Sequence, residues 1–234
     1  MGGDQLSFHD YRCRTGRGGP RPGAGRPRKR PSELRPSRAV RPRHSRHAPV
    51  HATLRVRRGL PSLRRGRFVG ELRRSLREMR VRGDFRVCQY SVQGNHLHFV
   101  LEADDGAALA NGMKALGGRV AGAVQRICGV RGRVLAERCH LRALRTPAEA
   151  RGALAYVLLN ARKHAWERAR RVSRVALDGA SSACWFDGWT AEARRWAVAA
   201  RPVRREVSVA RSWLLRIGWR LHHALIDSAE VPGG

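Results

Sequence analysis

Residues 84–103, DFRVCQYSVQGNHLHFVLEA, limit the fold more than any other stretch of the chain. Two runs rich in valine and aromatic residues flank the turn signal Gln93-Gly94-Asn95, so the segment reads as a β-hairpin. A turn centred on Gln93 and Gly94 pairs Tyr90 with Leu97. The second run alternates, with Leu97, Phe99 and Leu101 on one face and His96 and His98 on the other. An isolated hairpin is marginal in water, so it has to be built into a larger sheet.

The flanking segments say how. PVHATLRVR (49–57) alternates as a strand, and RFVGELRRSLREMRV (67–81) puts Phe68, Val69, Leu72, Leu76 and Met79 on one helical stripe. DDGAALANGMKALGGRVAGAVQRICG (104–129) has helical spacing behind two acids that suit a helix N-terminus. GRVLAERCHLRAL (132–144) reads as a further strand. The order β-α-β-β-α-β is that of an α+β, ferredoxin-like fold, an antiparallel sheet with two helices on one face. One more helix follows in RTPAEARGALAYVLLNARKH (145–164), where Thr146 is the N-cap, Pro147 the first helical residue and Glu149 the partner in a capping box. With the first face covered, this helix is left to lie over the face that carries His96 and His98.

Three regions result: a basic Arg/Gly/Pro-rich tail over 1–46, a folded domain over 47–172 and a Trp-rich helical extension over 173–234. The tail cannot bury enough apolar surface to offset the entropy of ordering and reads as flexible. Its core, GAGRPRK, sets Arg26, Arg28 and Lys29 in a pattern similar to an AT-hook, in which Arg-Pro-Arg lies in a narrow minor groove; a nonspecific phosphate-binding arm is the plainer reading. Five of the six tryptophans fall between Trp185 and Trp219. Such density serves to clamp an extension onto a domain, with base stacking as the alternative.

Charge limits the partner. Lys plus Arg number 48 against 18 acids, a formal +30. The first 47 residues hold 13 of the bases and 3 of the acids, so the remainder still carries +20. Nearly all of it is arginine, whose planar fork matches phosphate oxygens, and a polyanion such as nucleic acid is the implied partner. No apolar run approaches the roughly 20 residues of a membrane span, and no export leader is evident. The five scattered cysteines fit a reducing cytoplasm rather than a disulfide framework or a zinc knuckle.

Two imidazoles at i and i+2 on a strand, with Cα atoms roughly 6–7 Å apart, read either as hydrogen-bonded polar residues or as a pair of metal ligands. Of the tyrosines, Tyr11 lies in the tail and Tyr90 points away from the histidines. Tyr156 sits on the capped helix, with Asn160 one turn later on the same face and Leu154, Val157 and Leu158 on the packing side. Taken alone, Tyr156 is a half-buried aromatic with its hydroxyl at the surface.

Together, VQGNHLHFVLEA, GRVLAERCHLRALRTPAE and YVLLNARKH resemble the HUH superfamily of single-tyrosine transposases, in particular the REP-associated tyrosine transposases and their insertion-sequence relatives. The resemblance covers roughly residues 48–170. It implies that His96, His98 and the Asn160 side chain bind Mg²⁺ or Mn²⁺. It implies that Tyr156 attacks single-stranded or hairpin DNA to give a 5′-phosphotyrosine, and that rejoining needs no nucleotide cofactor. Arg138, His140, Arg162 and Lys163 are then candidate DNA contacts, in a bacterial, nucleoid-associated monomer or homodimer. Where relatives often carry an aromatic, this chain has Cys139. Three other readings stand beside this one: a domesticated, non-mobile DNA-binding protein of the same fold; an RNA-binding module, which calls for stacking aromatics on an open sheet face; and a structural basic protein such as a ribosomal component, which would not need the Tyr-Asn helix.

Overall fold

The structure is a computed structural model that describes residues 44–169 and 177–232. The tail arginines Arg26 and Arg28, with Lys29, lie outside the described residues, as does Tyr11. Four strands, β1 (Val50–Arg55), β2 (Phe85–Val92), β3 (His96–Ala103) and β4 (His140–Ala143), form one antiparallel sheet in the order β2-β3-β1-β4. Helices α1 (Gly66–Met79) and α2 (Gly106–Cys128) connect β1 to β2 and β3 to β4. This is the expected βαββαβ arrangement. No helix among the described residues is long and apolar enough to cross a membrane.

Alternation sorts the strands onto two faces. Val50, Ala52 and Leu54 of β1 and Leu97, Phe99 and Leu101 of β3 join Phe68, Leu72 and Leu76 of α1 and Leu116 and Val120 of α2 in the main core. Each of these larger side chains contributes about 1.5–3 kcal/mol on burial. Helix α2 lies so close to β2 that a Cβ on Gly112 would stand 2.1 Å from the Phe85 ring. Its ends are fixed as the sequence requires: Asp105 Oδ1 accepts from Ala108 N–H (2.7 Å), and Gly129 closes the helix at φ +63°.

The hairpin turn falls one residue later than its sequence places it. Gln93 N–H donates to the His96 carbonyl (2.8 Å), leaving Gly94 and Asn95 as the turn. Tyr90 therefore pairs with Phe99 rather than Leu97. A shift of two residues keeps a side chain on its face, so Tyr90 still points away from the histidines. The last strand is also broken. Val134 and Ala136 exchange backbone hydrogen bonds with Arg57 and Arg55, but regular pairing resumes only at His140. Arg133 donates to the carbonyls of Leu135 and Ala136 (2.8 and 2.7 Å), and these side-chain bonds compete with a continuous ladder.

Helix α3 (Pro147–Ala169) covers the second face. Thr146 Oγ1 accepts from Glu149 N–H (3.1 Å), while the Glu149 carboxylate accepts from Arg145 N–H (2.7 Å), closing the box one residue earlier than usual. Leu154, Val157 and Leu158 pack with Val100 and Cys88, in a cluster that also holds Phe186, Trp189, Leu214 and Trp219 from the C-terminal segments. Those segments, which include α4 (Ala191–Ala199), a π-turn over Leu214–Gly218 and α5 (Trp219–His222), bury α3 on its outer side as well: Ala155 and Leu159 are both inaccessible. Trp189 and Trp219 are the clamp expected of the Trp-rich end, whereas Trp196 and Trp213 stay exposed.

The free edge of β2 is closed by the same extension. Val92 N–H donates to the Ala180 carbonyl, Ser182 N–H to Tyr90, and Ser208 N–H to Val87, which removes an unpaired strand edge.

Candidate active site

On β1, burying Val50, Ala52 and Leu54 forces His51, Thr53 and Arg55 to the other face. There β1 lies beside β3, with Thr53 opposite His98 and Arg55 opposite His96. The Thr53 Oγ1 is 3.1 Å from His98 Nδ1 and the His51 Nε2 is 3.2 Å from it. With Nδ1–H donating to this pair, Nε2 of His98 presents a lone pair. That atom is buried and has no hydrogen-bond partner. His96 is held in the same sense: its Nδ1–H donates to Asn95 Oδ1 (2.8 Å). The two rings stand 4.7 Å apart, nearly perpendicular. A ring held through one nitrogen while the other faces a shared space is the arrangement that fixes the tautomer of metal-binding histidines.

Helix α3 supplies the opposite wall through one stripe at i, i+4 and i+8. The Tyr156 ring lies edge-on to His98 at 5.0 Å and to His51 at 5.8 Å. The His164 ring lies 6.2 Å from His96. Asn160 sits between them on the same stripe, fully buried, with neither Oδ1 nor Nδ2 hydrogen-bonded. A buried amide with both atoms unsatisfied costs a few kcal/mol, so it calls for a partner such as a bound ion or an ordered water.

Burial sets the charge state. It pushes His98, which is 4% exposed, down to about 3, with the His96 and His51 charges adding to the effect. His96 is lowered to about 4 by burial and then by Arg55, and His51 to about 4 by burial and then by His140 and Arg142. All three are neutral at pH 7, the form in which imidazole binds a metal. Among the described residues, no three His, Cys, Asp or Glu side chains converge as a metal site; the Asn160 amide oxygen, buried without a hydrogen-bond partner, is a further oxygen donor on the facing helix. Of these donors, His98 Nε2 and the Asn160 amide are buried without a partner; neutral imidazole nitrogens with an amide oxygen are a donor set whose chemistry suits a divalent ion of the Mn²⁺ or Mg²⁺ kind.

The two described tyrosines differ sharply. Tyr90 is fully buried; its hydroxyl donates to Glu206 (2.9 Å) and accepts from Arg73 (3.1 Å), and burial pushes its pKa well up. Tyr156 is half-buried, with the Lys163 ammonium 5.3 Å from its ring centroid. Of the other expected contacts, His140 stands exposed on β4 opposite Thr53, on the histidine face. Arg138 is exposed in the loop before β4. Arg162 turns to the C-terminal segment, donating to the Ala229 carbonyl (3.2 Å).

His51, Thr53, Asn95 and His164 are participants that the sequence reading left without a role. The alternation of PVHATLRVR carries the signal for the first two, once β1 is seated beside β3. The spacing of Tyr156, Asn160 and His164 carries it for the last.

No family profile and no curated protein matches the chain. Among solved structures, the chain matches a REP-associated tyrosine transposase described with a REP hairpin bound, at 19% identity over 56% of this chain and 75% of that one, with a TM-score of 0.45.

Proposed function

We propose that this chain is a metal-dependent DNA transposase or nuclease of the HUH kind, cleaving and rejoining single-stranded DNA through a 5′-phosphotyrosine on Tyr156. The observation that carries the reading is the convergence of a half-buried phenol with two neutral imidazoles and an unsatisfied buried amide, on a domain with a large positive charge. An RNA-recognition module fits less well, because the sheet face it would use is covered by α3.

His96 and His98, through Nε2, and Asn160, through Oδ1, would hold the divalent ion. When bound, such an ion neutralises charge on the scissile phosphate and orients it. Thr53 and Asn95 hold the two rings in register. The Tyr156 oxygen attacks phosphorus and gives its proton to solvent; the P–O3′ bond breaks and the departing oxygen takes up a proton as a 3′-OH. The phosphodiester energy is kept in the phosphotyrosine, and attack by another 3′-OH reverses the step. Lys163, whose ammonium lies over the Tyr156 ring, adds positive charge near the phenol on which negative charge develops. Arginines across the domain, with the tail, neutralise the remaining backbone, and a hairpin-tipped single strand is the expected DNA.

The test is covalent trapping. Labelled hairpin DNA with single-stranded flanks, incubated with the protein and Mn²⁺, is expected to give a denaturation-resistant adduct. Tyr156→Phe removes the adduct and leaves binding in place, and chelation removes it from the unsubstituted protein. An adduct formed at full rate by Tyr156→Phe, or in excess chelator, refutes the assignment.

A further inference from the structure

The C-terminal extension builds a second feature along the closed edge of β2, the opposite end of the sheet from β4. A cavity of about 490 Å³ opens between Cys88 and Gln89 of β2 and the segment 201–220. A groove of about 450 Å³ continues from it, sharing Ser208, Val209, Ala210 and Arg216. Volumes of this order suit small ligands or a strand segment and are far too small for a duplex.

The lining is strongly basic. Arg80, Arg201, Arg205, Arg211 and Arg216 have no carboxylate within ion-pair distance among the described residues, while the nearby acids are taken: Asp187 pairs with Arg220, and Glu102 and Asp104 pair with Arg86. The Nε atoms of Arg205 and Arg220 are buried without a partner. Burial, and then the Arg80 charge, holds the Arg205 guanidinium below its ordinary range. Like charges gathered this closely repel one another, and the repulsion is relieved when an anion binds.

The helix that lines the cleft through Leu215, Arg216 and Ile217 also presents an aromatic ring. Trp213 is 52% exposed, and a Cβ on Gly218 would meet its six-membered ring at 2.4 Å. The ring therefore rests on the Gly218 backbone with its other side toward solvent. Ile217, one turn along the helix, lines the cavity. The backbone here is a π-turn, an irregularity that recurs at functional sites. Glu102 anchors the start of this helix by accepting from Arg211 and Ser212 N–H (2.8 Å each).

We propose that this cleft binds a segment of single-stranded DNA, with its phosphates on Arg201, Arg211 and Arg216 and a base stacked on Trp213. A flat exposed ring beside uncompensated arginines is the combination that recognises an unpaired strand irrespective of sequence. The inference extends the reading of the chain as a single-strand DNA enzyme, whose substrate has flanking nucleotides to hold at a distance from Tyr156.

The test uses the full chain carrying Tyr156→Phe, so that no covalent step intervenes, and a labelled oligo-dT read by fluorescence anisotropy over a salt series. Replacing the exposed Arg201 and Arg216 together by Ala is expected to weaken binding at least about fivefold and to lower the salt slope by about two phosphate contacts. Trp213→Ala is expected to weaken it by about fivefold or more. Trp213→Phe keeps most of the affinity but loses the quenching of tryptophan emission that stacking produces. Unchanged affinity and salt slope in the double variant, or unchanged quenching in Trp213→Phe, overturns the inference. So does polyglutamate that displaces the DNA at matched charge and shows the same dependence on Trp213, which would make the cleft a site for an acidic protein. The two proposals fail separately: an adduct at Tyr156 with normal binding by the cleft variants sinks only this one, and absence of the adduct with weakened binding by those variants sinks only the catalytic one.

Discussion

Replacing Asn160 by Leu separates metal binding from folding. Asn160 is completely buried and neither of its amide atoms is hydrogen-bonded. An unsatisfied neutral group costs at least about 1–2 kcal/mol, so the two amide atoms weaken the metal-free fold by about 2–4 kcal/mol. Leucine has the same branching at Cγ and no polar atoms. After an allowance of about 1 kcal/mol for its larger volume, Asn160→Leu is expected to raise metal-free stability by about 1–3 kcal/mol, or about 3–9 °C in Tm. With Mn²⁺ the order narrows or inverts, because a ligand at 100 times its Kd stabilises the unsubstituted protein by about 2.7 kcal/mol and the variant by far less. The assay is urea unfolding in chelator and again across a Mn²⁺ titration. Should Asn160→Leu destabilise the metal-free protein, and Mn²⁺ stabilise both proteins equally, Asn160 is an ordinary packing residue.

Three further outcomes follow from particular contacts. Thr53→Val keeps the shape but removes the hydroxyl beside His98 Nδ1; Mn²⁺ affinity by calorimetry is expected to fall about 10- to 100-fold with the fold intact, and unchanged affinity refutes the orienting role. In the metal-free protein, His98 is neutral down to about 3 and His51 and His96 to about 4, whereas the unfolded chain protonates near 6.5. The unfolded state then binds more protons below pH 6.5, so stability is full above that value and falls as pH drops toward 4. For His98 alone the loss is on the order of 3–5 kcal/mol, and the three rings do not add because each charge opposes the next; a flat urea midpoint between pH 7 and 5 contradicts it. Gly112→Ala drives a methyl into Phe85 and is expected to destabilise by about 1–3 kcal/mol or more, readable as a lower denaturation midpoint.

The parts legible in the sequence were those set by local chemistry. The two hairpin strands, the acids at the start of α2, the Thr146 cap and the stripe of α1 depend on contacts within a few residues, and each stands where its pattern put it. The turn was displaced by one residue because Gln93-Gly94-Asn95 can close at either of two pairs. The break in β4 depends on where the Arg133 side chain reaches, and no periodicity reports that. The burial of α3 on both sides depends on segments that return some 20–60 residues later, so its sequence reads as one-sided. The histidine pair was visible as a pair, but the strand that orients it is 45 residues upstream, and Thr53 and His51 gain a role only when sheet order puts β1 beside β3. The arginine cleft was hidden more deeply still: in a chain with 48 basic residues, only the fold distinguishes those paired with acids from those left together.

The most direct measurement is peptide mapping by mass spectrometry of the protein–DNA adduct. A phosphodeoxynucleotide found on the α3 peptide at Tyr156 is the predicted result. A label on Tyr11, on a serine, or on any residue away from His96 and His98 contradicts the convergence of phenol and imidazoles on which the proposed chemistry depends.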